Sequence, residues 1–177
     1  MALIGLRDVR DYKIMSGGSE RLGTASPFNI AVQSFTLRNF DLQEVQTLLQ
    51  QHTQESGQHF EEDAIQNVFR LSAGQPWLVN ALAKVVVEEL LPDSTLPIAQ
   101  SHIEQAKDLL IRRRQTHLDQ LTDKLQLPRV RRVIEPILAG STLENVPVDD
   151  REYVLDLGLV RRDPTGGLVI ANPIYQE

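Results

Sequence analysis

The segment that most constrains the fold is residues 76–91, where apolar side chains occupy almost the whole circumference of a helix. Pro76 fits the first turn of that helix, because the N–H that proline lacks would have no intrahelical partner there. A helix that is apolar on nearly every side has to be buried among other elements. The sequence therefore predicts a bundle in which other helices pack around residues 76–91.

Caps and helical spacing indicate two helices before that segment. Asp41 and Glu44 have the spacing of a capping box, and the helix that they begin is predicted to end near Gly57. A second helix is predicted from Glu61 to Leu71, with acidic residues in its first turn. Gly74 then has the position of a residue that ends a helix.

After residue 100 the pattern predicts three more helices and a β-hairpin. The first is long and reaches about Leu125, and the last is short and ends at Gly158. Residues 159–171 read as two short strands around a Gly-rich turn. The predicted starts of the three helices are a Ser101–Glu104 capping box, Pro128, and an Asp149–Glu152 cap. Helix, helix, short helix and hairpin is the order of a winged helix-turn-helix.

Composition excludes several kinds of site. The 177 residues contain no cysteine, which excludes disulfides, cysteine-ligated zinc and thiol catalysis. The four histidines lack metal-binding spacing and no G-x-S-x-G motif occurs, so we predict neither a metal site nor catalytic residues. No apolar run approaches the ~20 residues of a membrane span. We expect a cytoplasmic protein without a membrane partner.

Two N-terminal segments are predicted to be strands. Residues 1–6 form a short apolar run, and residues 29–37 alternate between apolar and polar side chains. Strands taken from a parallel core sheet expose apolar side chains and unpaired backbone groups once their neighbours are removed. We therefore expect these strands to pair with a missing core or with a second copy of the chain, as a homodimer.

Several of these features together resemble a known class of ATPase. The segment Leu3-Ile4-Gly5-Leu6-Arg7-Asp8 lies near the N-terminus, and the motif Gly74-Gln75-Pro76-Trp77 opens the buried helix. In this order, followed by a winged helix, they are similar to the C-terminal part of a bacterial AAA-like, STAND-type P-loop ATP-binding protein. The resemblance covers essentially the whole chain.

The resemblance implies roles for four residues. Arg7 matches the sensor-1 position that detects the γ-phosphate, with Arg10 beside it, and Gly74 and Pro76 match the motif whose proline approaches adenine. It also implies a mainly α fold in three parts: residues 1–40 as a remnant of an α/β core, 41–107 as a helical lid, and 108–177 as a winged helix. ATP and Mg²⁺ are the expected ligands of the intact relative.

The motifs that bind phosphate are missing from this sequence. No G-x-x-x-x-G-K-[ST] occurs, and the Walker A and Walker B segments of a relative would lie before Met1. We therefore expect a truncated gene product or an excised fragment that binds no cofactor alone and is not an enzyme alone. Its expected function is to relay nucleotide state from the P-loop core to protein partners.

A basic segment leaves a second function open. Residues 107–132 hold eight basic and three acidic residues, although the whole chain has 18 basic and 24 acidic residues and a net charge of −6. The predicted recognition helix 149–157 carries four acidic residues against Arg151, which is unfavourable for DNA phosphates. A packing role is therefore favoured, with nucleic-acid binding as the alternative and a protein-interaction domain without nucleotide as a third possibility. The candidate phosphate contacts are Arg112, Arg113, Arg114, Arg129, Arg131, Arg132, Arg161 and Arg162.

Overall fold

A computed structural model of the protein describes residues 38–113 and 123–176. The predicted strands at residues 1–6 and 29–37, with Arg7 and Arg10, lie outside the described residues, as does Arg114. From Asn39 onward the described residues form one compact unit. Within the described ranges, no helix has both the length and the apolar character needed to cross a membrane.

The fold is mainly helical, as predicted, and in the described residues the α-helices precede the strands. They are α1 (Leu42–Ser56), α2 (Glu62–Ser72), α3 (Pro76–Val85) with a π-helical turn (Val86–Leu90), α4 (Gln100–Arg113), α5 (Pro128–Leu138) and α6 (Val148–Asp156). The antiparallel hairpin of β1 (Val160–Arg162) and β2 (Leu168–Ile170) follows, with Val160 opposite Ile170. A 3₁₀ turn, Pro173–Gln176, ends the described chain.

The first hydrophobic core lies among α1 to α4. Helix α3 and its π-helical turn contribute Leu78, Val79, Leu82, Val85 and Val86, all buried, which confirms the prediction of a buried helix. Helix α4 adds Ile103, Ala106 and Leu110 to the same core, so it extends across the division drawn at residues 107 and 108. The 3₁₀ turn returns to this core through buried Ile174.

The second hydrophobic core lies among α5, α6 and the hairpin. Val130, Val133 and Ile134 of α5 pack with Val154 of α6 and with apolar residues of the two strands. Partly buried Tyr175 packs against both this core and the first one. The aromatic ring of Tyr175 is therefore a point at which the two cores meet.

Several predicted helix boundaries are confirmed. Asp41 and Glu44 form a reciprocal capping box, with two hydrogen bonds of 2.9 Å between side chain and backbone. Gly57 ends α1 in the left-handed conformation, and Pro76 begins α3. These boundaries rest on local chemistry, which explains why a sequence pattern finds them.

Two predicted caps are wrong, because each helix begins one residue before its predicted cap residue. Helix α6 begins at Val148 and not at Asp149, and its N-cap residue, Pro147, makes no side-chain cap. Helix α4 begins at Gln100, so Ser101 lies inside it, and the carboxylate of Glu104 accepts hydrogen bonds from Asn67 and Arg70 of α2. The ring Nδ1 of His102 instead accepts the N–H of Ala99, at 3.0 Å.

Candidate functional site

The candidate site is the turn between α2 and α3, which contains the motif Gly74-Gln75-Pro76. We call residues 72–76 the junction. Ser72 is fully buried; its hydroxyl donates to the carbonyl of Val68 at 2.7 Å and accepts the N–H of Gly74 at 3.1 Å. Ala73 and Gly74 both have left-handed backbones, with φ of 48° and 73°. A left-handed alanine costs about 1–2 kcal/mol, so the surrounding contacts must hold this turn in place.

The segment that enters the first core lies directly against the junction. The N–H of Phe40 donates to the carbonyl of Gly74 at 2.8 Å, and the amide of Asn39 donates to the carbonyl of Ala73 at 3.2 Å. A Cβ added at Gly74 would lie 1.9 Å from the carbonyl oxygen of Phe40. Glycine is therefore required here by the close backbone approach as well as by its φ angle.

The C-terminal segment contacts the other side of the junction. Gln75 is the N-cap residue of α3, but its side chain does not cap the helix. Instead, its Oε1 accepts a 2.7 Å hydrogen bond from the hydroxyl of Tyr175. The amide of Asn172 lies 3.5 Å from the same oxygen, and its own Oδ1 accepts the N–H of Tyr175 at 3.1 Å. The junction thus connects the beginning and the end of the described unit.

The chemistry of this contact depends on the Tyr175 hydroxyl being protonated. Burial raises the pKa of this phenol above its usual value, although its hydrogen bonds with Gln75 and Asn172 act in the opposite direction. The phenol therefore remains a hydrogen-bond donor at neutral pH. The neighbouring Trp77 is half-buried and packs against the first core.

Most of the described candidate arginines are paired with carboxylates of the same chain. Arg113 makes two hydrogen bonds to Glu89, at 2.8 and 2.6 Å, and Arg131 makes one to Glu135 at 2.7 Å. Arg162 pairs with Glu152 at 2.7 Å. Arg112 and Arg161 are exposed. Binding of a phosphate by the paired arginines would have to compete with these contacts.

Two further arginines hold α5 against α6. Asp150, with a side chain only 10% exposed, lies 3.3 Å from Arg129 and 3.4 Å from Arg132. The guanidinium of Arg129 also stacks on the ring of Tyr153, 3.9 Å from its centre. This cluster orders the two helices, so Asp150 is a structural carboxylate. Among residues 38–113 and 123–176, no three His, Asp or Glu side chains converge in a way that could hold a metal ion.

Gly74 and Pro76, predicted from the sequence as nucleotide-sensing residues, lie at the junction, whereas its contacts through Gln75, Asn172 and Tyr175 were not predicted. The hydrogen bond between Gln75 and Tyr175 spans 100 positions. Gln75 occupies the variable position of the Gly74-Gln75-Pro76 motif, and Tyr175 belongs to no motif, so the sequence does not predict their contact. Comparisons of the chain with protein-family profiles and with curated proteins find no match.

Proposed function

We propose that this chain is the regulatory lid and winged-helix portion of an AAA-like, STAND-type ATP-binding switch protein. In this proposal the chain relays nucleotide state from a P-loop core to protein partners, and it is not a catalyst by itself. Residues 41–107 act as the lid, and the α5, α6 and hairpin region acts as the winged helix.

The observation that carries the proposal is the set of contacts at the junction. A relay needs an element that touches both its input and its output. The junction binds the entering segment through Gly74 and Phe40, and it binds the C-terminal segment through Gln75 and Tyr175. In the resembled class the same motif, with Pro76, approaches the adenine, so a nucleotide there would act on both contacts at once.

The position of Tyr175 supports transmission to the winged helix. Its ring packs against both hydrophobic cores, and its hydroxyl is bound to the junction. A shift of the junction would therefore change the contacts between the lid and the α5, α6 and hairpin region. Well-packed groups of this kind move between discrete arrangements and do not deform continuously.

The ion pairs of the arginines favour packing over nucleic-acid binding as the role of the winged helix. Five of the candidate phosphate contacts, Arg113, Arg129, Arg131, Arg132 and Arg162, have carboxylate partners within the chain. A surface whose positive charges are already neutralised attracts a polyanion weakly.

The first test is the reading frame upstream of the Met1 codon, which the proposal predicts to encode a Walker A motif. The 177-residue chain alone is expected to hydrolyse no ATP, because the backbone amides and lysine of the phosphate loop supply most of the affinity. In the longer protein, hydrogen exchange at residues 172–176 should differ between the ADP and ATP-analogue states. Gln75→Ala should abolish that difference.

The matched control is Gln66→Ala, because Gln66 lies on the exposed side of α2 and its amide donates to the carboxylate of Glu62, one turn earlier in the same helix. This variant should retain the nucleotide-dependent difference. Absence of a P-loop in the upstream frame would contradict the proposal. So would micromolar ATP binding by the 177-residue chain, or an exchange difference that survives Gln75→Ala.

A further inference from the structure

The exposed side of α1 carries a row of uncharged polar side chains, which we call the glutamine stripe. Its members are all exposed, and they are Gln43, Thr47, Gln50 and Gln54. At 100° per residue these four positions lie within about 60° of one another around the helix axis. Helix α1 contains no lysine or arginine, and its two acidic residues, Glu44 and Glu55, lie outside the segment 45–54. The solvent-facing side of a helix usually carries charges, so this stripe is an uncharged surface on a chain with 18 basic and 24 acidic residues.

The stripe is accessible because α1 lies at the edge of the first core. Among the described helices α1 packs mainly against α2, and its buried residues are Val45 and Leu49. Both lie on the side of the helix opposite the stripe. The hydroxyl of Thr47 donates to the carbonyl of Gln43 at 2.8 Å, whereas the three amides of the stripe have no hydrogen-bond partner in the part of the chain that the structure describes. These amides are therefore available to another molecule.

The spacing of the stripe indicates the shape of its partner. Successive members are four, three and four residues apart. This alternation is the spacing of contact positions between two helices that pack side by side. The series reads the same in both directions, so an antiparallel second copy of α1 presents a matching stripe. In that pair Gln43 lies opposite Gln54 of the second copy, and the twofold axis passes between Thr47 and Gln50.

The chemistry of the stripe favours a second copy over a charged partner. In a twofold interface the same surface is present on both sides. A charged side chain near the axis would repel its own copy, whereas an amide both donates and accepts and can bond to another amide. Two chains with a net charge of −6 repel each other, and the stripe lets them approach where neither carries a charge.

We propose that the glutamine stripe of α1 binds the same stripe of a second copy of the chain, with the two helices antiparallel. Amide hydrogen bonds formed in water contribute little net free energy, so the dimer is weak, with a dissociation constant on the order of 100 µM. This interface goes beyond the proposed relay function and does not depend on it, because it includes no residue of the junction and requires no nucleotide.

The first test is sedimentation equilibrium of the full chain between about 10 µM and 1 mM. Gln50→Glu places two carboxylates near the twofold axis and should weaken the dimer at least tenfold. Gln66→Glu is the matched control, because it adds the same charge at an exposed glutamine of α2 and should leave the dissociation constant within about twofold. Far-UV circular dichroism checks that each variant keeps its helix content.

The second test determines the direction of the helices. The double variant Gln43→Glu with Gln54→Lys suits the α1 dipole, since the carboxylate lies near its N-terminus and the ammonium near its C-terminus. In an antiparallel dimer each glutamate faces a lysine of the second copy, so the dimer should become about threefold tighter at low salt. In a parallel dimer like charges would meet and the dimer would weaken.

Three results would overturn the proposal. The first is a chain that stays monomeric up to about 1 mM. The second is a dimer that Gln50→Glu weakens no more than Gln66→Glu does, because the interface would then lie elsewhere. The third is a double variant that dimerises more weakly than the wild type.

Discussion

The hydroxyl of Tyr175 donates a 2.7 Å hydrogen bond to Oε1 of Gln75, a residue 100 positions earlier in the chain. This contact closes the described unit, because Gln75 belongs to the junction and Tyr175 belongs to the last turn. The ring of Tyr175 packs against both hydrophobic cores. The pair is therefore suited to couple the stability of the α1 to α4 core to that of the α5, α6 and hairpin region.

Tyr175→Phe removes only the hydroxyl and should lower the free energy of unfolding by about 1 kcal/mol. Gln75→Ala should have a similar effect, and the double variant should cost less than the sum, with a coupling of about 1 kcal/mol. Urea unfolding of the four proteins measures this cycle. Gln66→Ala is the control for the loss of a glutamine side chain, and additivity of the two changes would show that the hydrogen bond contributes nothing.

Because the pKa of the Tyr175 phenol is raised, we expect the free energy of unfolding to depend on pH. Burial raises the pKa of Tyr175 in the folded state above its unfolded value of about 10. Below pH 10 the phenol is protonated in both states, and its stabilising contribution is complete. As the pH rises through 10 towards the folded pKa, the unfolded state loses its proton first, so the protein is destabilised. Between pH 9 and pH 11 the wild type should lose more stability than Tyr175→Phe, and equal losses in urea unfolding would contradict this prediction.

Two glycine substitutions distinguish the cost of the close approach of Phe40 to Gly74 from the cost of a positive φ angle. Gly74→Ala has to place a Cβ 1.9 Å from the carbonyl oxygen of Phe40 at a φ of 73°, so it should destabilise by about 3 kcal/mol or more. Gly57→Ala is the matched control, because its φ is 81° but nothing lies within 4 Å of the added Cβ. It should cost about 1 kcal/mol, the conformational penalty alone. Equal thermal unfolding temperatures of the two variants would disprove the close approach of Phe40.

The burial of Gln58 leads to a further prediction about stability. Gln58 is 2% exposed, and its Nε2 lies 3.1 Å from each of three carbonyl oxygens, those of Leu91, Asp93 and Leu96. Gln58→Glu would place a carboxylate against these oxygens and should cost about 3 kcal/mol at pH 7. Gln66→Glu on the exposed side of α2 should change stability by less than about 0.5 kcal/mol. Chemical unfolding at pH 7 compares them, and equal stability would contradict the packing of this amide.

The sequence predicted those parts of the fold that depend on neighbouring residues. The cap at Asp41, the left-handed end at Gly57 and the start at Pro76 follow from backbone chemistry within one turn, and all three are confirmed. The burial of α3 followed from its apolar circumference. These features need no information from distant parts of the chain.

Prediction failed where a polar side chain had a choice of partners. The carboxylate of Glu104 bonds to Asn67 and Arg70 across two helices instead of capping its own helix. Glu152, which was predicted to complete the Asp149 cap, likewise pairs with Arg162 of β1. Local patterns cannot rank such alternatives, because the competing partner comes close only after the helices pack. For the same reason the sequence does not predict the contact of Gln75 with Tyr175 and Asn172.

The last prediction concerns duplex DNA, because it decides between a packing and a nucleic-acid role for the α5, α6 and hairpin region. The pairing of Arg113, Arg131 and Arg162 with carboxylates leaves little positive charge for phosphates. We expect a dissociation constant above about 10 µM at physiological salt, without sequence preference.

Residual binding should come from the exposed Arg112 and Arg161, so replacing both with alanine should weaken DNA binding on every sequence alike. Arg131→Ala is the control and should have little effect, since that guanidinium is bound to Glu135. Anisotropy titrations of labelled duplexes at several salt concentrations measure these differences, and a nanomolar, sequence-selective complex would make DNA reading the function of this region.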